Sequence, residues 1–194
     1  MENTLKLRDG AEILIRPIRR DDLDRSYAFF QALPEEDRIF LRVDVSKREV
    51  VEQGIKRVEF GEVERLVALH GDEVVADGAL ELKGESWKEH VGELRLIVAR
   101  PYQRRGLGTL MARELYKQAA HHKLEEIIVR MMRPQRGART IFRRLGFQEM
   151  VTIPEYVKDL RGTKQDLVVM RCDLESLWRE LEDYITLSDW RRNR

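Results

Sequence analysis

One stretch restricts this chain more than any other, because two periodicities meet across a glycine turn. Gly92-Glu93-Leu94-Arg95-Leu96-Ile97-Val98 alternates polar and apolar residues and reads as a strand. Leu107, Leu110, Met111 and Leu115 then fall at helical spacing. Between them lies Pro101-Tyr102-Gln103-Arg104-Arg105-Gly106-Leu107-Gly108-Thr109. A turn that opens a helix presents unpaired N–H groups, and the helix dipole adds to their pull on negative charge. Gly106 and Gly108 lack a Cβ, so a phosphate can approach the backbone closely. These residues predict a diphosphate site.

The rest of the chain reads as elements around that unit. Leu5 to Ile18 predicts a hairpin with Asp9-Gly10 as its turn. Asp21 or Asp22 can cap a helix carrying Leu23, Tyr27 and Phe30, and Pro34 opens a second short helix through Leu41. Ser46 to Glu59 is helical by composition. Leu66 to His70 and Val74 to Leu82 are strands joined at Gly71-Asp72. Trp87 lies in a loop from Gly84 to His90. After the turn the helix runs to about His122, Glu126 to Met131 is a buried strand, and Gln135 to Leu145 is helical. Phe147 to Val157 and Gln165 to Asp173 predict a closing hairpin with Arg161-Gly162-Thr163-Lys164 at its tip. The order implies an α/β (α+β) fold, a mixed and mostly antiparallel sheet flanked by helices. The domain spans 1–173. In 174–194, Leu174, Leu177, Trp178, Leu181, Tyr184 and Ile185 form the stripe of an amphipathic extension, packed on its own domain or against a second copy as a homodimer contact.

Composition narrows the class. The 194 residues carry a formal net charge of +1 although 37% of them are charged, so nothing pulls the whole chain towards nucleic acid or membrane. Cys172 is the only cysteine, which excludes an internal disulfide and fits a reducing compartment. No leader of charged-then-apolar type opens the sequence, and no apolar run approaches the roughly 18 residues of a spanning helix. A cytoplasmic location is expected.

Gln103-Arg104-Arg105-Gly106-Leu107-Gly108 resembles the acyl-CoA loop of the GCN5-related N-acetyltransferases (GNAT), whose pattern is Gln/Arg-x-x-Gly-x-Gly/Ala. Ile141-Phe142-Arg143-Arg144-Leu145-Gly146-Phe147 resembles the late helix of that family, which ends in Leu-Gly-Phe. A P-loop fits worse, for no Lys-Ser/Thr follows the glycines, and the third glycine of a dinucleotide fingerprint is absent. Leu7-Arg8-Asp9-Gly10, Arg16-Pro17-Ile18-Arg19-Arg20-Asp21-Asp22 and Phe29-Phe30-Gln31-Ala32-Leu33-Pro34-Glu35 resemble, more narrowly, bacterial protein-lysine acetyltransferases of the Pat type. The resemblance implies an enzyme that moves an acetyl group from acetyl-CoA, its cosubstrate, to a primary amine, with a protein lysine as the favoured acceptor. Gln103, Arg104, Arg105, Gly106, Leu107, Gly108 and Thr109 would hold the pyrophosphate, Leu96, Ile97 and Val98 the pantetheine and thioester, and Gln135 stands where the family often has Asn.

Acetyl transfer to an amine needs a proton acceptor, since only the neutral amine attacks and lysine starts near pKa ~10.4. It also needs a donor for the carbonyl oxygen. Glu93 occupies the position that resembles the family's catalytic glutamate. On a regular strand it shares a face with Arg95 and Ile97, opposite Leu94, Leu96 and Val98, and it could equally decorate a solvated face. Phe142 stands where many relatives carry a tyrosine acid, so no acid is assigned; Tyr102, Tyr116 and Tyr156 are weaker substitutes. A thiolate with pKa near ~8.5 can leave without one.

Arg130, Arg133, Arg136, Arg139, Arg143 and Arg144 are open to three readings: a solvated face, contacts to the cofactor 3′-phosphate or an acidic partner, and nucleic acid. His70, His90, His121 and His122 show no metal-ligand spacing, so no metal is expected. The remaining alternatives are a small-molecule amine acceptor and a non-catalytic acyl-CoA-binding module.

Overall fold

The computed structural model describes residues 2–82 and 86–175. Among the described residues eight strands form one sheet: β1 (Asn3–Lys6), β2 (Glu12–Pro17), β3 (Val63–His70), β4 (Glu73–Glu81), β5 (Val91–Val98), β6 (Glu126–Met132), β7 (Gln148–Lys158) and β8 (Lys164–Asp173). Five described α-helices flank it: α1 (Leu23–Ala32), α2 (Glu35–Arg38), α3 (Arg48–Glu59), α4 (Leu107–His121) and α5 (Arg136–Arg144). The strand order is β1-β2-β3-β4-β5-β6-β8-β7, and β5 with β6 is the parallel pair among antiparallel neighbours. The α/β architecture expected from the order of elements is therefore present. The predicted second helix is shorter than expected, a single turn over Glu35–Arg38, since Phe40 and Leu41 leave the helix for the segment that leads to α3.

Two apolar layers cover the sheet. On one side α4 brings Leu107, Met111, Leu115 and Ala119, each fully buried, against Leu80, Leu94, Ile127 and Val129. Burying each leucine or methionine contributes on the order of 1.5–3 kcal/mol. Gly78 lets that helix lie close to β4, since a Cβ there would meet Leu115 Cδ1 at 2.9 Å. On the other side Phe29, Phe30, Leu33, Val51 and Ile55 from α1, α3 and their connection pack on Val67, Leu69 and Val74. Alternation along β5 decides which layer each residue joins: Leu94, Leu96 and Val98 face α4, and Ile97 faces the α1–α3 layer.

A buried ion pair closes the α1 end. Asp22, wholly buried, accepts two hydrogen bonds from Arg16 at 2.6 and 2.7 Å and one from the Arg19 N–H at 2.8 Å. Burial raises the Asp22 carboxyl, but these donors outweigh it and hold it below the usual carboxylate range.

The decisive irregularity is in the middle of the sheet. The β5–β6 ladder consists of Val91↔Glu126, Gly92↔Ile127 and Glu93↔Ile128, and there it stops. Beyond Glu93, β5 continues beside β4 through Val98↔Ala76, while β6 continues beside β8 through Met132↔Leu167. The two strands part and leave a wedge whose apex is Glu93.

Candidate active site

The anion turn is built by two backbone reversals. Arg104 has φ 60° and Gly106 φ 95°, and α4 starts at once behind Gly106. The first backbone hydrogen bond of the helix runs from Leu110 N–H to Gly106 C=O at 3.1 Å. The N–H groups of Leu107, Gly108 and Thr109 thus belong to the first turn, which has no intrahelical acceptor, and they aim a helix dipole at the mouth of the turn. The arrangement suits a diphosphate.

Individual residues play different parts from those their positions implied. Gly106 needs its glycine for the backbone: at φ 95° a side chain is strained although nothing but Arg8 Nε, at 3.9 Å, lies near a Cβ. Gly108 is ordinary helix, and its absent Cβ would touch Val98 Cγ2 and Leu96 Cδ2 at 3.8 and 3.9 Å. The reading that Gly108 clears room for a phosphate is corrected: it faces β5. Leu107 is fully buried in the core, so only its N–H is available to a ligand. The Gln103 side-chain amide turns back to donate to the Val98 C=O at 2.9 Å, locking the turn to the strand end. Arg105 pairs with Asp9, donates to the Pro101 C=O at 3.2 Å and lies over the Tyr102 ring, so its charge is partly spent on the β1–β2 turn. Arg104 and Thr109 are exposed at the mouth. Arg8, on the β1–β2 turn, is a cation that sequence reasoning missed, because only the folded hairpin brings it to Gly106.

Leu96, Ile97 and Val98 line the β5 side of the wedge, where main-chain groups that do not face β4 have lost their β6 partner. An extended pantetheine can pair there as an added strand does. On the β6 side Gln135 sits at the start of α5, accepting from the Met132 N–H at 2.8 Å through Oε1. Phe142 is buried against Phe147 and offers no proton. Tyr116 donates to the Leu145 C=O at 2.9 Å with burial driving its hydroxyl pKa strongly upwards, and Tyr102 pairs with His70 at 2.8 Å. Tyr156 is exposed on β7. Tyr116 and Tyr102 are thus taken up by other partners, and Tyr156 lies near enough to Arg130 to act on its charge.

Glu93 is not on a solvated face. It is 8% exposed, beneath Arg42 and Arg130. Arg130 Nε donates to Oε1 at 2.8 Å, a second Arg130 nitrogen reaches Oε2, and Arg42 reaches Oε1. Burial pushes the carboxyl up, but the hydrogen bonds from Arg130 and Arg42 outweigh it and hold Glu93 below the ordinary glutamate range. Arg42 comes from the α2–α3 connection, and α2 ahead of it is tied down by Arg100 to Asp37 at 2.8 Å. The arginine run seen in the sequence is dispersed: Arg130 serves Glu93, Arg133 meets Asp166 at 2.9 Å and Arg143 meets Glu149 at 3.0 Å. Trp87 stands 71% exposed, with Lys88 over its ring. Among the described residues no group of three or more His, Cys, Asp or Glu could hold a metal ion, and no helix is long and apolar enough to cross a membrane. The stripe predicted over 174–194 lies outside the described residues except for Leu174, which is buried in the core.

A strand that parts from its parallel neighbour beside a turn of free N–H groups suits a ligand with a diphosphate and an extended chain, and the comparisons supply the family. Residues 24–147 match the Acetyltransferase (GNAT) family, and the chain belongs to that family. The ribosomal-protein-alanine N-acetyltransferase from Brucella melitensis is 22% identical, with a TM-score of 0.71 over 82% of this chain and 98% of that one. The GNAT domain of S. lividans PAT gives a TM-score of 0.75 at 18% identity, over 89% and 96%. A Salmonella typhimurium protein solved with its cofactor acetyl-CoA gives 0.69 at 14%, over 84% and 94%. The protein is an acetyltransferase that acts on amines, with acetyl-CoA as cosubstrate. This removes the non-catalytic alternative.

Proposed function

We propose that this enzyme acetylates the side-chain amine of protein lysines by direct transfer, with Glu93 as the proton acceptor. The observation that carries the reading is the parting of β5 from β6 immediately after Glu93, which puts a buried carboxylate at the apex of a wedge beside the anion turn. In this reading the pyrophosphate lies against the N–H groups from Arg104 to Thr109, with Arg8 near Gly106. Pantetheine runs along Leu96, Ile97 and Val98, with Gln135 across the wedge.

The amine nitrogen attacks the thioester carbon, a C–N bond forms and the C–S bond breaks. The nitrogen gives up its proton and sulfur leaves as thiolate, with no acid required at Phe142. A main-chain N–H near Ile97 or Val98 meets the developing oxyanion, and such donors act strongly because they are fixed in advance. The guanidinium groups of Arg42 and Arg130 keep Glu93 ionised and ready to accept, yet a carboxyl held that low retains a proton poorly. A water relay from amine to Glu93 and onward to solvent suits it better than stable protonation.

The lysine acceptor and the Pat-type branch are supported by the N-terminal stretch Leu7-Arg8-Asp9-Gly10 and by the fold shared with the S. lividans domain. The test is acetylation of a lysine peptide by wild type and Glu93→Gln, with acetyl-CoA binding measured on both. Turnover is expected to fall by roughly 10²–10⁴ with binding unchanged. Undiminished turnover removes Glu93 from the proton path.

A further inference from the structure

A cavity of about 280 Å³ opens on the α1–α3 side of the sheet and reaches the wedge, since Leu96, Val129, Gln135 and Phe142 are among its walls. Its polar lining is dominated by five guanidinium groups, from Arg42, Arg57, Arg65, Arg95 and Arg130. Register explains the concentration. Arg65 pairs across β3–β4 with Ala79, and Ala79 pairs across β4–β5 with Arg95, so two arginines stand in one row with only a methyl group between them. Glu81 and Glu93 stand directly opposite each other in the next row, a repulsive pairing that needs cations above it.

The described carboxylates in contact with these arginines are Glu62, Asp77, Glu81 and Glu93, four against five. They are unevenly shared. Arg65 has Asp77 at 2.9 Å, both nearly buried. Arg42 and Arg130 divide Glu93, and Arg57 divides Glu62 and Glu81. Arg95 has Glu81, already held by Arg57, and its Nε is buried with no hydrogen-bond partner. Burial and the neighbouring charges of Arg42, Arg57 and Arg65 press its pKa down to about 10, the mark of a cation short of negative company. A buried unpaired donor on a charged group is a costly arrangement unless a ligand completes it.

We propose that the acceptor carries a carboxylate beside its reacting amine, and that Arg95 receives this carboxylate while the amine is joined to Glu93 through the water relay. The proposal rests on the proposed function, acetylation of an amine with Glu93 as proton acceptor, and adds that the acceptor enters through this cavity. Glu93 and Arg95 are two residues apart on one face of β5, roughly 6.6 Å along the strand. That spacing suits a lysine amine and an acidic side chain next to it in a protein, or the amine and carboxylate of free lysine. A polyamine would instead add positive charge to a pocket already in surplus.

The experiment compares initial rates at fixed ionic strength for peptides centred on Asp-Lys-Asp, Ala-Lys-Ala and Arg-Lys-Arg, for free lysine and for spermidine. The acidic peptide is expected to exceed the neutral one by about tenfold or more in kcat/KM, with the basic peptide lowest. Arg95→Gln should collapse that ratio, and Arg95→Lys should retain part of it. Equal rates for the peptides overturn the inference and leave protein-lysine acetylation standing. If no peptide reacts while acetyl-CoA still binds, the protein-lysine reading falls instead; turnover of free lysine then supports the carboxylate inference, and turnover of spermidine alone overturns it. Should nothing react, thermal unfolding with glutarate decides: a rise in Tm that Arg95→Gln abolishes supports the inference, and no rise overturns it.

Discussion

Two glycines a residue apart in the anion turn should respond to the same substitution with opposite signs. Gly106 lies at φ 95°, where an L residue is strained by about 1–2 kcal/mol, and the space around a new Cβ is open, so strain is the whole effect. Gly108 is in regular helix, and a methyl group there would meet Leu96 and Val98 at ordinary contact distance. Alanine should gain up to about 0.5–1 kcal/mol at that position, less if the first turn frays. In a chain of this size 1 kcal/mol corresponds to roughly 2–4 °C in Tm. Gly106→Ala should therefore lower Tm by about 2–8 °C, and Gly108→Ala should raise it by up to about 4 °C. Calorimetric scans read this directly, and titration with acetyl-CoA adds a second axis. Affinity should fall for Gly106→Ala, whose strain displaces the N–H groups, and hold for Gly108→Ala, whose methyl group faces the strand. A Gly108→Ala protein that loses as much stability or affinity as Gly106→Ala refutes the assignment of roles.

Two further outcomes follow from buried charge. Asp22→Asn leaves Arg16 buried without its counter-charge and should cost about 3–5 kcal/mol in urea unfolding; a loss under about 1 kcal/mol contradicts the picture of an obligatory pair. Asp22 and Glu93 both have carboxyl groups held below their unfolded values, so they bind fewer protons folded than unfolded. Their stabilisation is complete above roughly pH 4.5 and is lost as pH falls through the folded values, so the urea midpoint should be level above that pH and decline below it. A midpoint that rises on acidification would show these ion pairs to be net destabilising.

What the sequence made legible was local. The hand-over from period two to helical period around Gly106 located the turn, and the alternation of β5 put Glu93, Arg95 and Ile97 on one face. The partners of Glu93 were not legible, because Arg42 and Arg130 lie 51 and 37 residues away along the chain and arrive only through tertiary packing. The arginine row shows the same limit: Arg65 and Arg95 each look like an ordinary strand residue until register places Ala79 between them. The sequence shows that Gly108 lacks a Cβ but not that this Cβ would point to Leu96 and Val98. The sequence leaves Glu93 open to a solvated or a catalytic place, and burial beneath two guanidinium groups disposes of the first.

The place of β8 between β6 and β7 has a consequence for how the chain is made. Strand β6 emerges from the ribosome well before its antiparallel neighbour, because β8 follows every other described strand in the sequence and yet is an interior one in the sheet. Until Asp173 has been synthesised, the edge of β6 that later meets Leu167, Val168, Val169 and Met170 is bare, and β7 has no strand beside it. A nascent chain stopped at Lys158 would hold the anion turn and Glu93 but only one wall of the wedge in its final setting. Completion of the catalytic half therefore waits on the closing strand, and until then that open edge is where a chaperone would bind or a stray strand would add.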